Sequence, residues 1–221
     1  MYDAVIFDSD GVLVSRTAYD VLHEAAWAAF DAVGVADPDQ AVVESTVIDV
    51  SPAEVREICE QYDLNPETFW THRERLAVER QQTEARAGRK TPYEDLSALD
   101  RLSTPLGIVS SNQQATVEFL LEYFGLESYF EVTLGRQPTL ESLDKKKPHP
   151  HYLEAAIETL NAESVLFVGD NDSDIQAAEN AGIDSAFIRR PHRRNHNPTP
   201  SPTYIVEDLH DVVGLCRSAM V

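Results

Sequence analysis

Four short segments of this 221-residue chain carry the side chains best suited to chemistry: Asp8-Ser9-Asp10, Ser110, Lys147, and Gly169-Asp170 followed by Asp172 and Asp174. Paired carboxylates can attack, exchange protons or hold a cation, while a hydroxyl and an ammonium can hold an anion. Three of the four also have a plain structural reading. Asp8 to Asp10 suits an Asx turn, Ser110 a helix cap, and the acids after Gly169 a helix start from about Ser173. Separate caps, however, do not explain why a carboxylate cluster, a hydroxyl and a lysine all fall along one rim in this chain order. Among the adjacent lysines Lys147 is the candidate, because Pro148 and Pro150 stiffen its loop just before a helical pattern; Lys145 and Lys146 read as solvated.

The elements that must position these residues are legible from apolar spacing. Residues 4–7 (AVIF) form a short apolar run ending at Asp8, and similar runs recur at Leu106–Val109, Val165–Val168 and Ala186–Ile188, with weaker candidates at 131–134 and 203–206. Helical stripes lie between them: Val117, Leu120, Leu121 and Phe124; Leu153, Ala156, Ile157 and Leu160; Leu209, Val212, Val213 and Cys216. Strands alternating with helices predict a doubly wound, Rossmann-like α/β fold with a mainly parallel sheet, and place Asp8 and Asp170 where strands end and ligands bind.

One interval breaks the rhythm, since about 95 residues separate the first strand from the next, whereas a βαβ unit takes roughly 30. The insert reads as helical, with stripes at Val21, Leu22, Ala25, Ala26, Phe30 and Val33 and at Val55, Ile58, Cys59 and Tyr62. Ser51-Pro52-Ala53-Glu54 and Asn65-Pro66-Glu67 are helix starts. The expected division is a catalytic core of 1–14 and 88–221 with a helical cap at 15–87. Two loops stand out in the core, from Arg136 to Pro150 and from Arg189 to Pro202.

With these segments in order, the chain resembles the haloacid dehalogenase-like hydrolase superfamily, in the branch with a helical cap between its first two motifs and most like phosphoglycolate phosphatase and its relatives. The first motif, DxDG and an apolar pair, is Asp8-Ser9-Asp10-Gly11-Val12-Leu13; the second is Ser110. The third is Lys147 in Lys-Pro-His-Pro, and the fourth, GDxxxD, is Gly169-Asp170 to Asp174. The resemblance covers nearly the whole length. It departs at Val14-Ser15-Arg16, where relatives often carry Val-Asp-Ser on entering the cap.

The resemblance implies a phosphatase acting on a small phosphorylated metabolite. Asp8 would attack phosphorus and form an aspartyl phosphate; Asp10 would protonate the leaving alkoxide and then deprotonate water, with a carboxyl raised relative to Asp8. Carboxylates and a phosphate dianion crowded together need a cation, since unit charges 4 Å apart repel by about 4 kcal/mol at an effective dielectric of about 20. By resemblance that cation is Mg²⁺, held by the Asp8 carboxylate, the Asp10 backbone carbonyl and Asp170. Asp174 would support that shell, Asp172 would be a surface or capping acid, and Ser110 and Lys147 would hold the phosphoryl oxygens.

Alternatives on the same scaffold are a phosphomutase or a phosphonate hydrolase. A phospho-acceptor signalling module also combines acids, Ser/Thr and Lys, but its acceptor Asp follows a middle strand and nothing in it calls for a cap.

Bulk composition narrows the partners. The chain has 38 acidic against 18 basic residues, a net charge of -20, and its lysines are confined to Lys90 and Lys145–Lys147. That excludes nucleic acid as an expected partner and suggests a salt-rich cytosol, with an ordinary acidic protein as the plainer reading. Cys59 and Cys216 offer neither a disulfide framework nor a thiolate site and read as core. No apolar run approaches the roughly 18 residues of a membrane span, so the expected protein is cytoplasmic, without membrane attachment, and a monomer or homodimer. Arg16, Arg86, Arg89 and Lys90 near the linkers read as solvated charge with an anionic substrate as the alternative, and the Arg189 to His196 cluster as an exposed loop, flap or oligomer contact.

Overall fold

In the computed structural model, which describes residues 2–218, every side chain of the first strand, β1 (Ala4–Phe7), is buried. The chain continues through α1 (Tyr19–Ala32), α2 (Gln40–Ser45), α3 (Pro52–Gln61) and α4 (Pro66–Arg86) to β2 (Leu106–Gln113). There follow α5 (Gln114–Phe124), β3 (Val132–Arg136), α6 (His151–Leu160), β4 (Val165–Gly169), α7 (Asp172–Ala181), β5 (Asp184–Ile188), β6 (Tyr204–Val206) and α8 (Leu209–Ser218). The strands form one sheet in the order β3-β2-β1-β4-β5-β6, with β1 parallel to both β2 and β4. The doubly wound α/β fold expected from the alternating pattern is therefore present.

The two-residue period of β1 divides the core. Val5 and Phe7 join Val117 and Leu121 of α5 and Leu209, Val212 and Val213 of α8 on one face. Ala4 and Ile6 join Leu153 and Ala156 of α6 and Ala177 and Ala178 of α7 on the other. Both faces are apolar, which is why the central strands read as unbroken apolar runs rather than alternating ones. Cys216 is buried in the first of these clusters.

Two compact units are distinguished: Met1–Ser15, Thr91–Gly135 and Lys146–Val221 make one, and Arg16–Lys90 with Arg136–Lys145 make the other. The second unit is helical, as the sequence of the insert suggests. Phe30 of α1 meets Phe69 of α4 with ring centroids 4.7 Å apart, and Val55, Ile58 and Cys59 of α3 complete an apolar cluster. Ser51 and Glu54 cap α3 reciprocally behind Pro52, and Asn65 caps α4 by accepting from the Thr68 N–H at 2.9 Å. Both starts lie where Ser/Asn followed by Pro indicated them.

Three features depart from the sequence reading. The stretch Arg136–Lys145, assigned above to the core, groups with the helical unit. A buried charge cluster explains this: Glu74 of α4 lies 2.8 Å from Arg73 and 2.9 Å from Arg136, while Leu140 and Leu143 enter the apolar cluster. Lys90 is not solvated but fully buried, donating to Thr17 Oγ1 at 3.0 Å, whereas Arg89 is exposed and pairs with Glu84. Finally β2 does not close at Ser110 but runs on to Gln113, alongside β3, which itself extends to Arg136.

Candidate active site

Asp8 leaves the end of β1 with its backbone N–H donating to Val168 O at 2.9 Å, which fixes it at the sheet rim between β2 and β4. The next residues turn sharply: the Leu13 N–H and Val14 N–H both bond Ser9 O, and Gly11 N–H bonds Val14 O at 2.7 Å. Gly11 is required twice over. Its φ of +87° suits glycine, and a Cβ there would lie 2.5 Å from Asp170 Oδ2.

Asp170 follows β4, and the chain enters α7 through a cap built from Asn171 and Asp174. Asp174 Oδ2 accepts from the backbone N–H groups of Asp170 and Asn171, each at 3.0 Å. Gly169 makes this possible, because a Cβ at that position would stand 2.3 Å from the Asp174 Cβ. The helix-cap reading of these acids is thus correct for Asp174, yet its other oxygen faces the site.

That oxygen, Oδ1, lies 2.6 Å from Lys147 Nζ, and the same ammonium is 2.8 Å from Asp8 Oδ1. Lys147 also donates to Val109 O at 3.2 Å and sits over the Phe167 ring. All three charged residues are buried, as are Asp170 and Ser110. Lys145, by contrast, pairs with Glu141 at the surface, as its solvated reading implied.

Oxygens of Asp8, Asp170 and Asp174 lie within 4.8 Å of one another. Three buried carboxylates against one buried ammonium is an excess of negative charge, and the proton equilibria register it. Burial above all, with Asp174 and Asp170 adding to it and Lys147 opposing it, pushes the Asp8 carboxyl up to about 7. Burial also raises Asp174, against the pull of Lys147. Burial works against the charged form of Lys147, but Asp174 and Asp8 outweigh it and hold the ammonium above its ordinary value. A hard divalent cation fits this donor set, since it would supply the missing charge and takes carboxylate and carbonyl oxygens.

Asp10 is half-buried, and its Oδ2 is 3.5 Å from the Asn112 amide nitrogen. Asn112 in turn donates its backbone N–H to Ser110 Oγ at 3.2 Å, so the segment after Val109 links the second-motif hydroxyl to the second carboxylate. The structure therefore brings Asp8, Asp170, Asp174 and Lys147 into direct proximity, with Asp10 in the turn after β1 and Ser110 within β2. Asp172 stands apart, accepting from Thr199 N–H at 3.1 Å and paired with His196 at 2.7 Å.

The loop after β5 carries the Arg189 to His196 cluster, for which the sequence allows an exposed loop, a flap or an oligomer contact. Arg190 is buried, stacked at 4.0 Å on Tyr93, paired with Asp95 at 2.7 Å and donating to Val12 O. His192 Nε2 is 2.6 Å from Asp170 Oδ2, and Arg193 Nε is 3.7 Å from the same oxygen. No periodicity marks a loop histidine, and only the richness of Arg and His in a strongly acidic chain hinted at acids nearby.

Residues 5–188 match the family model described as haloacid dehalogenase-like hydrolase. A pyrophosphatase PpaX from Oceanobacillus iheyensis is 32% identical over 126 residues, which are 56% of this chain and 57% of that protein. The chain thus matches little more than half the length of such curated relatives. Among solved structures, CbbY from Rhodobacter sphaeroides in complex with phosphate superposes with a TM-score of 0.70 at 17% identity, over 96% of each chain. A predicted phosphoglycolate phosphatase from Haemophilus somnus gives 0.64 at 22% identity, over 98% of each. At these identities the structures establish a shared fold.

Proposed function

This chain belongs to the haloacid dehalogenase-like hydrolase family, and from that premise we propose that it is a magnesium-dependent phosphatase, hydrolysing a small phosphate monoester through a phospho-aspartate at Asp8. The observation that carries the reading is the position of Asp8: buried at the end of a central strand, 2.8 Å from Lys147 and clustered with Asp170 and Asp174. Burial and the neighbouring acids push its carboxyl up to about 7, a perturbation of the kind that clusters at functional sites.

In this reading Asp8, the Asp10 backbone carbonyl and Asp170 hold the metal. Bound Mg²⁺ would neutralise the clustered carboxylates and polarise the phosphoryl oxygen. Asp174, with both oxygens already engaged by Lys147 and two backbone N–H groups, supports the site rather than binding the ion. The Asp8 carboxylate attacks phosphorus, the P–O bond to the leaving group breaks, and Asp10 gives that oxygen its proton. Asp10 then accepts a proton from water as water attacks the phospho-aspartate, releasing phosphate and restoring Asp8. Ser110 and Lys147 hold the phosphoryl oxygens as charge moves onto them.

The same residues serve a phosphomutase or a phosphonate hydrolase, so substrate decides. The names of the relatives suggest a panel of aryl phosphate, phosphoglycolate, a sugar bisphosphate and pyrophosphate, assayed for phosphate release with Mg²⁺. Release from one or more monoesters, lost in Asp8→Asn, is the expected result. Absence of release from the whole panel, or full activity in Asp8→Asn, would overturn the reading. The acidic composition is consistent with a salt-rich cytosol, and among the described residues no helix is long and apolar enough to cross a membrane.

A further inference from the structure

We infer that His192 is a positioning residue for the metal centre: through Nε2 it fixes the Asp170 carboxylate so that the group's remaining coordination capacity is directed toward Asp8. The inference rests on the metal-dependent reading above and adds a residue from outside the four motifs.

Asp170 is gripped from two sides. Gly11 packs so closely that a Cβ there would lie 2.5 Å from Oδ2 and 2.9 Å from Oδ1. From the loop after β5, His192 Nε2 reaches Oδ2 at 2.6 Å, with the Arg193 guanidinium 3.7 Å from the same atom. An ionised carboxylate only accepts, so the proton of this short contact belongs to the ring nitrogen. One oxygen is thereby committed to the loop. The carboxylate that results cannot swing freely, and a metal ligand with a fixed rotamer loses less entropy on binding and presents one geometry.

The loop itself is anchored independently. Arg190 is locked between Tyr93, Asp95 and Val12 O, the Arg193 N–H donates to Arg190 O at 2.8 Å, and the His196 N–H donates to Arg193 O at 2.9 Å. His196, one turn beyond His192, stacks on Phe187 and pairs with Asp172 at 2.7 Å. A rigid loop thus delivers two imidazoles to two acids of the 170–172 segment, only one of which belongs to the carboxylate cluster. That asymmetry separates their tasks: His192 acts on the metal site, while His196 fastens the loop.

The test uses the full chain and measures Mn²⁺ binding by electron paramagnetic resonance, with the metal-free thermal midpoint recorded alongside. His192→Ala should weaken Mn²⁺ affinity by roughly 10–100-fold, the usual effect of losing an outer partner of a metal ligand. His192→Gln, which keeps an N–H donor at similar reach, should recover most of that loss, and His196→Ala should leave affinity near wild type. Wild-type affinity in His192→Ala, no recovery in His192→Gln at an unchanged midpoint, or an equal loss in His196→Ala would each overturn the assignment. A wild-type chain that takes up no Mn²⁺ would instead remove the metal reading itself, and this inference with it.

Discussion

Asp174 holds Lys147 in place: its Oδ1 is 2.6 Å from the ammonium, while its Oδ2 is pinned by the backbone N–H groups of Asp170 and Asn171. The α7 cap is therefore also the mount for the lysine that faces Asp8. Asp174→Asn should keep much of the cap, because the amide oxygen still accepts, but should free Lys147 to pair with Asp8 alone. Turnover should fall by about 10–100-fold with a smaller change in the metal-free thermal midpoint. A variant with unaltered kcat would show that Lys147 needs no such mount.

The raised Asp8 carboxyl makes metal binding and stability respond to pH in opposite ways. Without metal, folded Asp8 keeps its proton up to about 7, whereas an unfolded aspartate loses it near about 3.9. The stabilising contribution of that proton is full below about 4 and is lost as pH rises through about 7. A divalent cation needs the ionised form, so its affinity should drop by about tenfold per unit as pH falls below 7. The shift in thermal midpoint between Mg²⁺ and chelator should accordingly be larger near pH 8 than near pH 6. An equal shift at both would separate metal binding from Asp8.

The two aspartates of the first motif should fail differently. Asp8→Asn should abolish both turnover and any hydroxylamine-sensitive phosphoryl label, since an amide forms no acyl phosphate. Asp10→Asn retains its backbone carbonyl and should slow both steps, by about 10²–10⁴-fold for lost acid-base help. With a leaving group that needs little protonation, phospho-Asp8 should then accumulate. Mass spectrometry after acid quench locates the label, and phosphate on any other residue contradicts the assignment.

Glu74 should be a stability determinant of the helical unit. It is the carboxylate between two buried guanidiniums, Arg73 and Arg136, and Arg73 is already held below its ordinary value by burial and by Arg136, against the pull of Glu74. Glu74→Ala should cost about 3–5 kcal/mol by leaving those charges uncompensated. Urea unfolding measures this, and a loss under about 1 kcal/mol would show that the cluster relaxes into solvent.

The net charge of -20 should make stability depend on salt. If the surface is adapted to brine, molar KCl should raise the thermal midpoint by screening and ion binding. A midpoint that is flat or falling from dilute buffer to molar KCl would identify an ordinary acidic protein.

The sequence by itself determined the elements whose local signals are strongest. Apolar runs at 4–7, 106–109 and 165–168 are strands because both faces of those segments are buried, and Ser51-Pro52 and Asn65-Pro66 start helices because cap chemistry acts within one turn. Asp8 and Asp170 were legible as site candidates for a related reason, since parallel strands fed by βα units bring their C-terminal ends to one rim, whereas Lys147 was singled out by the prolines that stiffen its loop.

Tertiary structure alone decided the rest, wherever a residue's environment comes from distant parts of the chain. Arg136–Lys145 joins the helical unit because Glu74 compensates Arg136, and the buried Lys90 donates to Thr17; no spacing encodes either pairing. His192 touches Asp170 from a loop whose Arg190 is anchored on Tyr93 and Asp95. A charged or titratable side chain on a loop has no periodicity to declare its direction. Its contacts are set by the cost of leaving buried charges unpaired, and that cost exists only once the fold has removed the water around them.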